Sequence, residues 1–303
     1  MKYNFMGYRN HCFAFSITLM VLSLVLMLAR GFEYGIDFKG GNIIRVRFDQ
    51  QTTEGKIREV FDKMPGLYFK GDQLVIQAVA EAKGAEFIIQ YPAPLMDTVE
   101  TGKLHGEILK ELKANIPFRD DSLEVANVGP TVGDDMKRQA IYASILAVIG
   151  ILLYLGWQFE LQSSTGAVIS LVHDLVIILG FISLFKIEFD ITVLAALMTL
   201  LGYSVNDSIV VLDRIRENRR ITKETDFVTL INDSINQTLG RTINTGMPTL
   251  FATCALMFLG GQTLFNFALV LTFGLIFGTY SSVFIASPVL LLLSGNKLNR
   301  RGA

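Results

Sequence analysis

Cysteine is scarce in this chain: there are two in 303 residues, Cys12 and Cys254, and both sit inside apolar runs. They cannot build a disulfide framework and lack zinc-type spacing, so each reads as a small packing residue. Net charge is equally sparse, with 27 basic residues against 28 acidic ones. That balance gives no argument for nucleic acid, and none is expected as a partner. The phosphate-binding glycine loop, the GxSxG and HExxH signatures and any cysteine pair with metal spacing are missing. The expectation is a protein that is not an enzyme, with no metal, nucleotide or other cofactor.

What the chain has in abundance is apolar surface. Hydrophobic residues make up 51% of it, 22 of them Phe, and the mean hydropathy is positive. This is the composition of a membrane protein. A first apolar run, Cys12 to Ala29, follows Lys2 and Arg9; it is longer than a secretory h-region and no small-residue cleavage site follows it, so it reads as an uncleaved transmembrane helix. Five more runs come later, Gln139 to Trp157, Thr165 to Phe185, Ile191 to Leu212, Arg241 to Gly260 and Phe265 to Leu293.

Between the first and second runs, residues 31–138 have the composition of a soluble domain. Strand-like alternation marks Asn42 to Phe48, Gln73 to Ala80, Glu86 to Tyr91 and Ser122 to Val128; helical spacing marks Thr53 to Met64 and Met96 to Ala114. The order β-α-β-β-α-β is the split βαβ, ferredoxin-like pattern, which hosts many functions. His105 lies among Lys103, Glu107 and Lys110 and is expected to be a solvated surface residue. The fold class is therefore a six-helix polytopic membrane protein with one ferredoxin-like external domain: residues 1–30 carry the N-terminus and first helix, 31–138 the external domain, and 139–303 the remaining five helices.

Positive charge sets the orientation. Lys297, Arg300 and Arg301 in the tail, and Arg214, Arg216, Arg219, Arg220 and Lys223 after the fourth helix, contrast with the short links around Lys186–Asp190 and Gly260–Leu264. Both termini and the connection 213–240 are expected in the cytoplasm and residues 31–138 in the periplasm. Within 213–240, Phe227, Leu230, Ile231 and Ile235 recur at helical spacing, as in a helix lying on the inner leaflet or in a solvated hairpin. Gly274, Gly278 and Ser282 form a small-xxx-small row on the last helix, with Gly180 and Gly202 in similar packing roles.

The stretch ITVLAALMTLLGYSVNDSIVVLDRIRE, Ile191 to Glu217, carries the chemistry. Thr199, Tyr203, Asn206 and Asp207 share an arc of roughly 120° with Asp213 and Arg214. A carboxylate in the hydrocarbon costs about 2.5–3.5 kcal/mol on insertion scales, so Asp207 must face other helices or water; the stripe is a packing seam or a proton pathway. Arg241 opens the fifth helix at a similar depth, so an ion pair or water-bridged contact with Asp207 is geometrically reasonable. Thr238, Arg241, Thr242, Thr245 and Thr249 form a second stripe, and Pro248 leaves the Asn244 carbonyl free at an expected kink. Asp174, with His173 beside it and Ser170 one turn away, lies mid-helix; it is either a packing group or part of a proton relay, and His173 reads as structural.

GYSVNDSIVVLDRIRE (202–217), GIDFKGG (35–41), VGPTVG (128–133) and TLGRTINT (238–245) together resemble the SecD/SecF family of protein-export subunits, on the side of its smaller, SecF-type members. Ser208 and Leu212 stand where Thr and Phe are familiar. The resemblance implies a partner SecD subunit, a twelve-helix arrangement like that of resistance-nodulation-division transporters, and use of the proton motive force to move preproteins emerging from the SecYEG channel, with YajC as a further partner. It implies proton-transport roles for Asp207 and Arg241, with Asn206 and Asp174 as further candidates. It places the chain in the bacterial inner membrane, in contact with lipid. In GIDFKGG, Gly35, Gly40 and Gly41 suit a tight turn where the first helix meets the external domain, with Asp37 bracing it. The rival readings are a half-size exporter of lipids or small hydrophobic molecules and a non-conducting scaffold.

Overall fold

The computed structural model describes residues 3–64, 67, 74–78, 86–92, 98–128, 130–221 and 226–298. The outer positions of the expected second strand (Gln73 and 79–80), residues 96–97, Gly129, Lys223, Arg300 and Arg301 lie outside the described residues. The chain divides into two compact units. One comprises Met1–Glu33, Tyr142–Phe258 and Asn266–Ala303, the other Tyr34–Ile141 and Leu259–Phe265.

The second unit is built on a sheet of β1 (Gly41–Phe48), β2 (Val75–Ala78), β3 (Glu86–Pro92) and β4 (Phe118–Val128), in the order β2-β3-β1-β4 with every neighbouring pair antiparallel. Helices α3 (Glu54–Lys63) and α4 (Thr98–Asn115) join β1 to β2 and β3 to β4. Alternation decides the faces: Ile44, Val46 and Phe48 are buried while Arg45 and Arg47 are exposed. The buried set packs on Ile57 and Phe61 of α3 and on Ile108 and Leu112 of α4. Thr53 starts α3 by accepting a hydrogen bond from the Lys56 backbone N–H.

His105 departs from the expected solvated position. It shares a helical face with Ile108 and Leu112, so packing α4 on the sheet carries the ring inward, where it is half-buried and its Nδ1 bonds the Tyr91 hydroxyl. Burial pushes the imidazole below the ordinary histidine value. On the opposite face of the sheet Glu86 is held by Arg45 Nε (2.8 Å) and Arg47 Nη2 (2.6 Å). Its burial raises the carboxyl's proton affinity, but the two guanidinium groups together outweigh that and leave it below the usual range.

Two of the sequence motifs meet in this unit. After Gly35, a helical turn α2 (Ile36–Lys39), with Asp37 in it, ends at Gly40, whose φ of 72° favours glycine. A Cβ on Gly133 would stand 2.9 Å from the Gly40 nitrogen and 3.0 Å from the Phe38 carbonyl oxygen, and one on Gly41 would stand 3.0 Å from the Tyr91 carbonyl. Gly133 is therefore fixed by backbone against backbone, and Gly41 by the Tyr91 backbone together with the Ile36 side chain.

Six helices among the described residues are long and apolar enough to cross a membrane. They contain α1 (Arg9–Arg30), α5 (Pro130–Gln158), α6 (Leu161–Phe185), α7 (Ile191–Ile221), α8 (Phe227–Leu259) and a last span of α9 (Gly261–Ser281), a π turn (Ser282–Ala286) and α10 (Ser287–Leu298). In the apolar 18-residue stretch of each span, 50%, 50% and 56% of the residues are buried for α6, α7 and the last span, against 11%, 6% and 11% for α1, α5 and α8. The interior of the helical unit is therefore made by α6, α7 and the last span. Asp190 caps α7 through the Val193 N–H, and Asp226 caps α8 through the N–H groups of Val228 and Thr229.

Three features differ from the sequence expectation. Helix α5 begins at Pro130, so the last residues of 31–138 are already helical. Helix α7 continues past Leu212 to Ile221, and 227–240 is no separate interfacial helix: it is the first part of α8, which passes through Pro248 without interruption. The reason is packing. Leu230, Ile231 and Ile235 are buried in a cluster with Met6, Leu155 and Ile215, so their apolar face is satisfied by protein.

Substituting Gly133 by Ala is expected to lower the unfolding temperature, at a cost of about 1–3 kcal/mol, because the methyl group meets backbone. Gly102→Ala on α4, where a Cβ meets nothing within 4 Å, should instead be neutral or stabilising by about 0.5–1 kcal/mol. Thermal unfolding of the two variants gives the comparison. Stability of the sheet unit should also fall with acid in two steps. The unfolded His105 takes up a proton near its ordinary value of 6.5, before the folded one does, and the unfolded Glu86 does the same near 4.5. Both contributions are complete above those values and lost below them; hydrogen exchange of β1 and β3 between pH 7 and 2.5 should show the first step vanish in His105→Phe and the second in Glu86→Gln.

Candidate functional site

The interior of the helical unit holds two carboxylates on neighbouring helices. Asp174 on α6 is fully buried, and Asp207 on α7 is 7% exposed. Ser204 donates to Asp174 Oδ2 at 2.5 Å and Ser281 to the same oxygen at 2.7 Å, while His173 Nδ1 lies 2.9 Å from Oδ1. Thr242 donates to Asp207 Oδ1 at 2.9 Å and Ser282 to Oδ2 at 2.7 Å. Consecutive serines thus serve different carboxylates. At about 100° per residue, Ser281 faces α6 and Ser282 faces α7, at the point where α9 opens into the π turn.

These serines have a second acceptor within reach. Ser281 Oγ lies 3.1 Å from the Gly278 carbonyl oxygen and Ser282 Oγ 2.9 Å from that of Thr279. A hydroxyl has one proton to donate and lone pairs to accept with. Beside an ionised carboxylate it donates to the carboxylate; beside a protonated one it accepts and turns its own proton to the helix carbonyl. Both charge states of Asp174 and Asp207 can therefore be hydrogen-bonded without moving a helix.

Around this centre the other sequence candidates separate. Ser170 pairs with Ser208 (3.3 Å) rather than with Asp174, and His173, read as structural, bonds Asp174 and stacks on Tyr280 at 6.2 Å. Among the described residues its buried Nε2 has no hydrogen-bond partner. Asn206 and Gly202 lie on the exposed side of α7, with Ser204, Asp207 and Ser208 turned inward. The second stripe splits in the same way: Thr238 and Thr242 are buried and Arg241 is exposed. The contact considered between Asp207 and Arg241 is not made, and among the described residues Asp207 has no ion pair. The adjacent Thr242 takes that position, since neighbours on a helix point about 100° apart. Around Pro248, the Thr245 and Thr249 hydroxyls bond the carbonyls of Arg241 and Thr245.

Ser204, Thr242 and Ser281 were not singled out as ligands of the carboxylates, and Ser282 was read only as a packing residue. The available signal was the pair Ser281-Ser282 in the middle of an apolar run: a hydroxyl in hydrocarbon needs a partner.

Six spans and buried intramembrane carboxylates bound by hydroxyls define a multi-pass membrane protein that holds acidic groups in its interior. The family profile described as "Protein export membrane protein SecD/SecF, C-terminal" matches residues 108–296, and the "SecD/SecF GG Motif" profile matches 25–52. The Protein translocase subunit SecF of Pseudomonas aeruginosa is 39% identical over 96% of this chain and 91% of its own, and that of Rickettsia prowazekii 36% identical over 99% and 94%. A crystal structure of SecDF from Thermus thermophilus, described as a translocon-associated membrane protein, superposes with a TM-score of 0.81 at 34% identity; 97% of this chain is covered and 39% of that one. The chain belongs to the SecD/SecF family, as a SecF-type protein translocase subunit of the Sec pathway. It spans about two-fifths of the SecDF chain it superposes on.

Removing both donors to Asp174 Oδ2, in Ser204→Ala with Ser281→Ala, is expected to cost about 1–3 kcal/mol for the buried acceptor left unsatisfied. Asn206→Ala, on the exposed side, should leave stability within about 0.5 kcal/mol. Thermal unfolding in detergent compares them.

Proposed function

We propose that the chain is the proton-coupled subunit of an export machine, drawing on the proton motive force to help preproteins through the Sec channel. The observation that carries this is the pair of buried carboxylates, Asp174 and Asp207, with no lysine or arginine at ion-pair distance among the described residues and with hydroxyls that suit either charge state. One proton crossing about 100 mV yields roughly 2.3 kcal/mol and one pH unit about 1.4, against roughly 5.5 needed to swing a two-state equilibrium from 1:99 to 99:1. One or two protons per cycle are the right scale. The gradient is the energy source, with no nucleotide, cofactor or enzymatic step.

A SecD subunit completes the machine. The Thermus thermophilus relative carries the name SecDF, which supports a partnership of the two halves, and Arg241 supports it independently. An exposed arginine on a membrane-spanning helix calls for cover by another protein surface or for water. SecYEG, YajC and the moving preprotein are the further partners. The sheet unit, with its element order and its strand order β2-β3-β1-β4, supports the ferredoxin-like reading. It lies in the periplasm, with both termini in the cytoplasm of a cell whose inner membrane the chain spans.

Complete hydrogen bonding of both carboxylates also suits a non-conducting scaffold, and two variants separate the readings. In vesicles containing the chain and its SecD, Asp207→Asn and Arg241→Gln are expected to reduce proton flux and gradient-dependent export to background while the complex assembles normally. Full flux and export in Asp207→Asn would leave the scaffold.

A further inference from the structure

At one end of the helical unit, away from the two carboxylates in sequence and in contacts, a cleft of about 220 Å³ lies among Arg216, Arg219 and Arg220 of α7, Glu160 and Ser163 at the start of α6, and Phe227 at the start of α8. Three arginines converge on it within five residues of helix. None has a carboxylate within 4.0 Å among the described residues, whereas Arg214 on the same helix is engaged by Glu217 (2.6 Å) and Gln237 (2.7 Å). Among the described residues Arg216 reaches only the Gln158 carbonyl, at a long 3.5 Å, and its buried Nε has no partner. Arg219 spreads over the Phe227 ring at 5.7 Å. Among the described residues Glu160 is the single acid lining the cleft, against three arginines.

A second feature adds donors. Glu160 precedes α6 without a side-chain cap, and the first bond back to it comes from the Ser164 N–H, so the N–H of Ser163, which lines the cleft, has no carbonyl within the helix. Guanidinium forks and the positive end of a helix form the donor set that binds phosphate oxygens. The rest of the wall, Ile215, Phe227 and Leu290, is apolar. α6, α7 and α8 are all membrane-spanning helices, and the cleft opens at an end of their apolar spans, where phospholipid headgroups lie.

We propose that this cleft binds the phosphate of an anionic phospholipid headgroup, with the apolar wall carrying the glycerol and the start of an acyl chain. It is independent of the proton-coupling reading. The lipid fixes the ends of α6, α7 and α8 relative to one another.

The test is lipid titration of the delipidated full-length protein in neutral detergent, read by native mass spectrometry, with phosphatidylglycerol, phosphatidylcholine and inorganic phosphate as separate probes. Phosphatidylglycerol is expected to bind at least tenfold more tightly than phosphatidylcholine. Arg219→Gln with Arg220→Gln should weaken it by roughly fivefold for each arginine removed, on the order of 1 kcal/mol apiece. Arg214→Gln, outside the cleft, should leave it unchanged, and unfolding temperatures within about 2 °C of wild type in the absence of lipid would show that the variants are folded. Equal binding of the two lipids, or retention of phosphatidylglycerol by the double variant, would overturn the proposal. Saturation by inorganic phosphate at the same concentration as the lipid would overturn the lipid assignment and leave a free-phosphate site.

Discussion

Two carboxylates held by neutral hydroxyls set the terms on which the helical unit packs. A charged group in hydrocarbon costs several kcal/mol unless it is hydrogen-bonded or paired, and this chain meets the requirement with serine and threonine rather than with arginine. Serine is short, so its hydroxyl reaches a neighbouring helix only where the backbones approach closely. Glycine makes that possible. A Cβ on Gly278 would stand 3.2 Å from the Ser204 side chain, and one on Gly166 would stand 2.8 Å from the Ala286 carbonyl oxygen in the π turn. The small-residue row of the last helix is therefore more than a packing surface: it is the geometric condition for bonding Asp174 and Asp207.

The π turn belongs to the same arrangement. In a regular helix every carbonyl is taken by the N–H four residues on; in a π turn the partner shifts to five and the helix locally widens. The turn begins at Ser282, directly after Ser281, and the Ser287 hydroxyl lies 3.2 Å from the Ser282 carbonyl, giving that carbonyl a side-chain donor. The widened segment places one serine toward each carboxylate. A hydroxyl that exchanges its acceptor between carboxylate and backbone adapts to protonation by rotating one bond, which costs far less than repacking a helix.

The broad architecture was legible because it is written in patterns that burial enforces. Alternation along β1 and the 3.6-residue spacing of α3 and α4 placed the elements of the sheet unit within a few residues, and the apolar runs placed six spans. Asp207 and Asp174 stood out for the same reason, since a carboxylate in an apolar run has few permitted surroundings. What stayed hidden depended on rotation and on distant contacts. Asn206 and Asp207 are neighbours, yet one is exposed and the other buried, and Arg241 and Thr242 repeat the split; assigning both members of each pair to one stripe smoothed over 100° of helix. His105 looked solvated because its sequence neighbours are charged, but its neighbours at three and seven residues, Ile108 and Leu112, decide its side. The start of α8 looked interfacial because its apolar face was visible and the residues that cover it, Met6 and Leu155, lie far away in sequence.

The same rotation divides the work between this chain and its surroundings. Among the described residues, the side chains that bond Asp207 come from α8 and the π turn. The only arginine in that part of α8 faces outward, beside the exposed Asn206 and Gly202 side of α7 in composition if not in contact. An outward arginine on a membrane-spanning helix is stable where another polar surface or water meets it. Under the function proposed above, a partner that drew Arg241 toward or away from Asp207 would change the carboxylate's hold on its proton by about one pKa unit for each 1.4 kcal/mol of altered interaction. Thr242, bonded to Asp207, and the arginine next to it ride on the same helix, so any rotation or shift of α8 moves both together.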